Sequence, residues 1–132
     1  MRACRVILTV ALAAVLAGSA AGATRSDADS VKALLQRETA LFNAGKWKAL
    51  YALYTPAFRA KCPFGPWAAV NRQGRKQVGP VTTTNITVRA SGKRAVANYV
   101  VKNKTGRVLA HTKGDVYVKI AGRWLDQQAT CA

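Results

Sequence analysis

Apolar positions along this chain follow a helical rhythm in its first half and a two-residue rhythm in its second. Val31, Leu34, Leu35, Leu41 and Phe42 recur on one face of a helix that Asp27, Asp29 or Ser30 can cap and Gly45 closes. A second helix starts near Lys46 and carries Trp47, Leu50, Tyr51 and Tyr54 on one side. Thr55-Pro56 ends it, because the residue before a proline is driven out of helical geometry. Ala57 to Lys61 reads as a short turn of helix or irregular chain. Pro63 and Pro66 bracket the entry to a third short helix around Trp67 to Asn71, and Gln73 to Gly79 reads as a basic, glycine-flanked loop.

From Pro80 onward β-branched residues dominate. Val81 to Arg89 alternates, with Thr82, Thr84, Ile86 and Val88 on one side. Ser91-Gly92 turns the chain into Lys93 to Asn103, and Lys104-Thr105-Gly106 turns it again into Arg107 to Ile120. Gly114, isolated inside that long segment, predicts a bulge that bends it. Ala121-Gly122 leads into a last strand, Arg123 to Cys131. Four sequential strands with short turns make an antiparallel meander, one face of which amphipathic helices can cover. The predicted fold is α+β: N-terminal helices packed into a curved antiparallel sheet of about four strands.

The first 23 of the 132 residues read differently. A short basic start holding Arg2 and Arg5 precedes an apolar run from Val6 to Ala17, then small residues ending in Ala21-Gly-Ala23, the pattern of a cleavable secretory signal. The run falls short of the roughly 20 residues a membrane span needs, although an uncleaved anchor is the alternative. Residues 24–30 then form a polar, mobile lead-in to a single domain over residues 31–132. Beyond the signal two cysteines remain, Cys62 and Cys131, and export favours a disulfide between them over two free thiols. Closing a loop of about 70 residues is worth on the order of 4 kcal/mol by chain entropy. The expected destination is the periplasm, the cell envelope or the exterior.

The net charge of +16 argues about association, not fold. Arg72, Arg75 and Lys76, then Lys93 and Arg94, then Lys102, Lys104 and Arg107 form basic groups. Most flank turns, where charge usually solvates a loop; the functional reading is attraction to an anionic envelope polymer or surface.

Several local patterns together resemble the nuclear transport factor 2-like superfamily, also called SnoaL-like. They are Ala40-Leu41-Phe42-Asn43-Ala44-Gly45-x-Trp47, Leu53-Tyr54-x-Pro56-x-Phe58 and Gly122-Arg123-Trp124-Leu125. The resemblance covers nearly all of the chain beyond residue 23. It implies a cone-shaped sheet around the helices, frequent dimerisation through that sheet, and a cavity used for isomerase, cyclase, dehydratase or hydrolase chemistry or for binding alone. One departure is Lys46, where the family usually has an acid able to cap the second helix.

Only five acids exist, so each can be weighed. Glu38 falls seven positions after Val31, at the centre of the first helix's apolar arc. A carboxyl aimed into an apolar cone has a raised pKa and can act as acid or base. The plainer expectation is a Glu38 paired with an arginine such as Arg59, or reaching the rim. Asp115 and Asp126 fall on neighbouring strands, where Tyr117 and Gln128 can meet them; a tyrosine or protonated carboxyl beside a second carboxylate is how ketosteroid isomerase builds its oxyanion hole and base, although no position here matches that enzyme's catalytic motif. Asp115, next to Gly114, reads first as a bulge or edge residue. Glu38 or Asp126 would carry the proton, and Tyr99 or Tyr117 would donate.

Phe42, Trp47, Tyr51, Tyr54, Trp67 and Trp124 are core residues first and candidate pocket walls second. His111 makes a triad with Ser91 and Asp115 only on paper, because no nucleophile-elbow pattern accompanies it. One histidine and few acids predict no metal, and no glycine loop or dinucleotide motif calls for a cofactor. Asn85-Ile-Thr87 and Asn103-Lys-Thr105 match glycosylation acceptors, a pattern common by chance. The sequence ranks a non-enzymatic module for a small apolar ligand or a protein first, an isomerase, cyclase or dehydratase second, and a binder of anionic polymer or nucleic acid third, with no specific nucleic-acid motif.

Overall fold

The computed structural model describes residues 25–131, so the signal read over residues 1–23 lies outside the described residues. Helix α1 (Asp27–Asn43) is followed by α2 (Trp47–Tyr51), α3 (Pro56–Lys61) and α4 (Phe64–Val78). Strands β1 (Val81–Ser91), β2 (Arg94–Asn103), β3 (Val108–Ile120) and β4 (Arg123–Asp126) form one antiparallel sheet in sequential order. Helices pack against one face of this curled sheet, the α+β arrangement read from the sequence.

Three boundaries depart from the sequence reading. Residues 27–30 are the first turn of α1, because Ser26 caps the helix by accepting from the Asp29 N–H. Asp27 and Asp29 then sit at the helix's positive end. Gln73 to Gly79 is not a loop: α4 runs on to Val78, and Arg75 within it donates twice to the carbonyl of Asn43 at 2.7 and 3.1 Å. That contact satisfies an orphan carbonyl at the end of α1, so the helix carries a tether where the sequence suggested only solvated charge. β4 stops at Asp126, because the chain then turns toward Cys131, which bonds to Cys62 with Cα atoms 5.4 Å apart.

The sheet curls because three register shifts interrupt its ladders. Asn85, with φ +53°, gives β1 an extra residue between Thr84 and Thr87. This puts Val81 and Thr83 on the same face as Ile86 and Val88, so Thr82 and Thr84 do not share that face as simple alternation predicted. In β3 a second shift falls near Leu109 and a third at Lys113-Gly114, opposite Asn98. Gly114 has φ +74°, open only to glycine at low cost, and its N–H is held by Asn98 Oδ1 at 2.8 Å.

The core has two parts. Val31 and Leu35 of α1 pack on Ala95, Ala97, Tyr117 and Trp124 of the sheet. Leu50, Tyr54, Phe58, Cys62, Trp67 and Ala68 form the second part among the short helices. Each fully buried large side chain is worth about 1.5–3 kcal/mol of apolar burial. Asn43 locks the two halves together: its amide donates to the Val81 carbonyl at 2.7 Å and accepts from the Val81 N–H at 2.9 Å.

Candidate functional site

Between α1, α4 and the concave face of the sheet lies a cavity of about 420 Å³, within the size of small-molecule sites. Glu38, Asp115, Asp126, Tyr54 and Tyr99 line it together with apolar side chains such as Phe42, Leu50 and Val101.

Each polar group is placed by a backbone feature. Glu38 occupies the inner arc of α1, one turn beyond Leu35, and is only 8% exposed. Asp115 follows the Gly114 bulge, which puts Asp115 and Thr112 on one face although three positions separate them. Asp126 pairs with Tyr117 across the β3–β4 ladder. Its own backbone donates to the Leu53 carbonyl and accepts from the Thr55 N–H, a short parallel bridge that brings Tyr54 alongside. Asp126 is 6% exposed.

Hydrogen bonds join these groups. Tyr117 Oη lies 3.1 Å from Glu38 Oε2 and 3.3 Å from Asp115 Oδ2. Tyr99 donates to the same Asp115 oxygen at 2.8 Å. Three oxygens at the cavity are buried without a partner: Glu38 Oε1, Asp126 Oδ1 and Gln128 Oε1. Tyr54 lines the cavity without a side-chain hydrogen bond.

Burial pushes the Glu38 carboxyl well above the ordinary carboxylate range; the charge of Asp126 adds to this, while the bond from Tyr117 opposes it. Burial, then the charge of Asp115, raises Asp126 to about 8. Asp126 therefore largely holds its proton at neutral pH, and burial drives Glu38 in the same direction. Burial, followed by the neighbouring carboxylates, also raises the hydroxyls of Tyr54, Tyr99 and Tyr117, which stay protonated donors.

The arginine partner expected for Glu38 is not found. Among the described residues the one ion pair is Lys119 with Asp27, at 2.8 Å, and Arg59 leaves its own Nε unpartnered. Asp115, read from sequence as a bulge or edge position, follows the bulge but also belongs to the cavity, since the bulge itself turns it inward.

Of the six aromatic residues weighed as pocket walls, Phe42 and Tyr54 line the cavity. Tyr51 and Trp67 do not: they stack with Phe64 and Tyr54 inside the second core, and Tyr51 donates to the carbonyls of Arg59 and Cys62. The aromatic faces of the short α2 and α3 and of the first turn of α4 are used up in packing on one another. Trp47 borders a separate surface hollow beside Lys46, Lys48 and Arg72. Trp124 packs in the α1–sheet core and donates to Asp27, whose carboxyl the Lys119 and Trp124 hydrogen bonds lower.

His111 is exposed on β3 opposite Val100, and Ser91 ends β1 opposite Arg94, so the two fall at different ends of the sheet and the triad dissolves. No three His, Cys, Asp or Glu side chains among the described residues are grouped to hold a metal ion. Asn71, Gln128 and the pair Thr39 and Thr83, whose hydroxyls meet at 2.7 Å, complete the polar lining. Of these the sequence reading reached only Gln128; the others carry no motif and become neighbours only through tertiary packing.

No protein-family model matches the chain, and no curated protein is similar to it. Among solved structures, the chain is similar to that of a point variant of Rv3472, a function-unknown protein from Mycobacterium tuberculosis, with a TM-score of 0.50 and 18% identity. The match covers 74% of this chain and 65% of that one, a likeness of fold alone.

Proposed function

We propose that this chain is a proton-transfer enzyme of the isomerase, cyclase or dehydratase kind, an exported member of the nuclear transport factor 2-like superfamily. The observation that carries the reading is the pair Glu38 and Asp126: two buried carboxyls, each with an unpartnered oxygen at one cavity and, among the described residues, no cation to neutralise either. Buried carboxyls kept only for structure are usually paired, whereas a free one with a pKa near neutral suits acid–base work. That argument reverses the order suggested by sequence, in which simple binding stood first.

In this reading Asp126, with a pKa of about 8, moves the proton. Glu38 is the neutral acid beside it, and the Tyr54 hydroxyl donates to a developing oxyanion. Tyr99 and Tyr117 are positioning residues: they hold Asp115, whose charge helps raise Asp126. The leader-like start and the Cys62–Cys131 disulfide support export. A second reading, a carrier that binds a small molecule without reaction, is favoured by the apolar share of the lining and keeps the same cavity.

Isomerisation of cyclohex-3-enone to its conjugated form, followed by ultraviolet absorbance, tests the catalytic reading with a generic carbon acid. The expected rate exceeds buffer, rises with pH as Asp126 ionises and levels off above about 8, and is lost in Asp126→Asn. A rate equal to buffer, or one unchanged in that variant, contradicts it and leaves the carrier.

A further inference from the structure

The chemistry of the cavity is lopsided. Of the five acidic residues in the chain, Asp27 and Asp29 stand in the first turn of α1, and Glu38, Asp115 and Asp126 line the cavity. No lysine, arginine or histidine among the described residues lines it, although the chain carries a net charge of +16. The same imbalance holds for hydrogen bonds. Tyr99 spends its proton on Asp115, Thr39 donates to the Leu35 carbonyl and the Asn71 amide to the Trp67 carbonyl. Acceptors outnumber what remains of the donors: Glu38 Oε1, Asp126 Oδ1 and Gln128 Oε1 have no partner among the described residues, against the free hydroxyl of Tyr54, and Glu38 and Asp126 are more than nine-tenths buried. A buried acceptor left without a donor costs about 1–3 kcal/mol. An occupant that relieves these oxygens brings donor hydrogens, and positive charge also answers the surplus of carboxyls, whereas an anion would meet three carboxyls with no counter-ion among the described residues.

We propose that the occupant of this cavity is a small protonated amine with an apolar body, its ammonium held at Glu38 and Asp126 and its body against Phe42, Leu50 and Val101. The inference rests on the cavity being the working site and names the substrate class it takes.

The proton balance follows from what faces Asp126: Glu38 on α1, Tyr54 between α2 and α3, Tyr99 on β2, and Asp115 and Tyr117 on β3, acidic groups on every side. Before a ligand binds, Asp126 largely keeps its proton at neutral pH, and burial drives Glu38 the same way. An entering ammonium draws one of them into ionisation, and that proton leaves to solvent. The other carboxyl stays protonated, because one cation balances one new carboxylate and the field of Asp115 persists. That retained proton is the one the chemistry can use.

Calorimetry with 2-phenylethylamine and its isosteres 2-phenylethanol and 3-phenylpropionate tests this, run at pH 7 in two buffers of different ionisation enthalpy. The amine is expected to bind at least about tenfold more tightly than either isostere, the scale of one charge-assisted hydrogen bond, and to release close to one proton. Its affinity is expected to rise with pH through about 8. Glu38→Gln and Asp126→Asn, each checked for folding by circular dichroism, should reduce the preference for the amine and spare alcohol binding. Equal or tighter binding of the alcohol or the carboxylate overturns the proposal. So does the absence of proton release, a failure of all three compounds to bind at millimolar concentration, or a preference that survives both substitutions. Preference for the amine without turnover of the enone removes the catalytic reading and leaves this one; turnover without the preference does the reverse.

Discussion

Tyr117 Oη stands 3.1 Å from Glu38 Oε2, a contact made across 79 positions of sequence, and 3.3 Å from Asp115 Oδ2. A phenol has one proton and can satisfy only one of these acceptors at a time. Its proton goes to Glu38 or to Asp115, and Tyr99 donates to the same Asp115 oxygen in either case. The helix and the sheet are joined through this one hydroxyl.

Tyr117→Phe removes this link and leaves the buried Glu38 carboxyl short of its partner, while Asp115 keeps its bond from Tyr99. The expected cost is about 1–3 kcal/mol of unfolding free energy, read from urea denaturation, with the far-ultraviolet circular dichroism unchanged. A variant as stable as the parent would mean that the hydroxyl contributes nothing to either carboxyl.

Stability should fall as pH rises. The folded pKa of Asp126, about 8, lies above the unfolded value, so the folded state binds more protons between those limits and loses its advantage as pH climbs through that window. Glu38 acts in the same direction. Asp126→Asn should flatten the decline and stabilise the protein at pH 8 by up to a few kcal/mol, the scale of several pKa units. Thermal melts of both proteins from pH 5 to 8 measure it.

Reduction of Cys62–Cys131, or the double change to serine, opens a loop of 69 residues and should cost on the order of 4 kcal/mol. The same change frees the chain after β4, where Lys61 Nζ donates to the Ala129 carbonyl at 3.2 Å. Denaturation with and without reductant gives the value.

Gly114→Ala places a side chain at φ +74° with no atom in its way, so the cost is backbone strain alone, about 1–2 kcal/mol. Relief of that strain would shift the bulge and carry Asp115 out of the cavity. Loss of the Tyr99–Asp115 bond, seen as an altered tyrosine absorbance, should accompany the loss of stability.

Much of this architecture was written in periodicity. Val31 and Leu35 announce the buried face of α1, Gly114 the bulge of β3, and Ala121-Gly122 the last turn, because each depends on neighbours close in sequence. Glu38 was legible as a candidate because its place on an apolar arc is a local property. Its partner was not: Arg59 was the reasonable guess, and Tyr117 became the answer only through the packing of α1 on the sheet. Asp115 was undervalued for a related reason, since a bulge reverses which face a strand residue occupies, and alternation cannot register that from composition. The helical span of Gln73 to Val78 hides behind its basic residues, as the tether from Arg75 to Asn43 has no sequence signature. Tyr51, Trp67 and Trp124 look like pocket walls in a list of aromatic residues; only the crowding of four short segments shows that they pack against one another or against α1.

The central claim is that two carboxyls with raised pKa values, Glu38 and Asp126, share one cavity with Asp115. Carbon-13 NMR of the side-chain carboxyls, followed from pH 3 to 10, reads it directly. Asp126 should titrate with a midpoint of about 8, and Glu38 well above the usual carboxylate range. Midpoints near 4 for both would contradict the account, because an ionised, unpaired pair at that site leaves no neutral acid for either the chemistry or the proposed ligand.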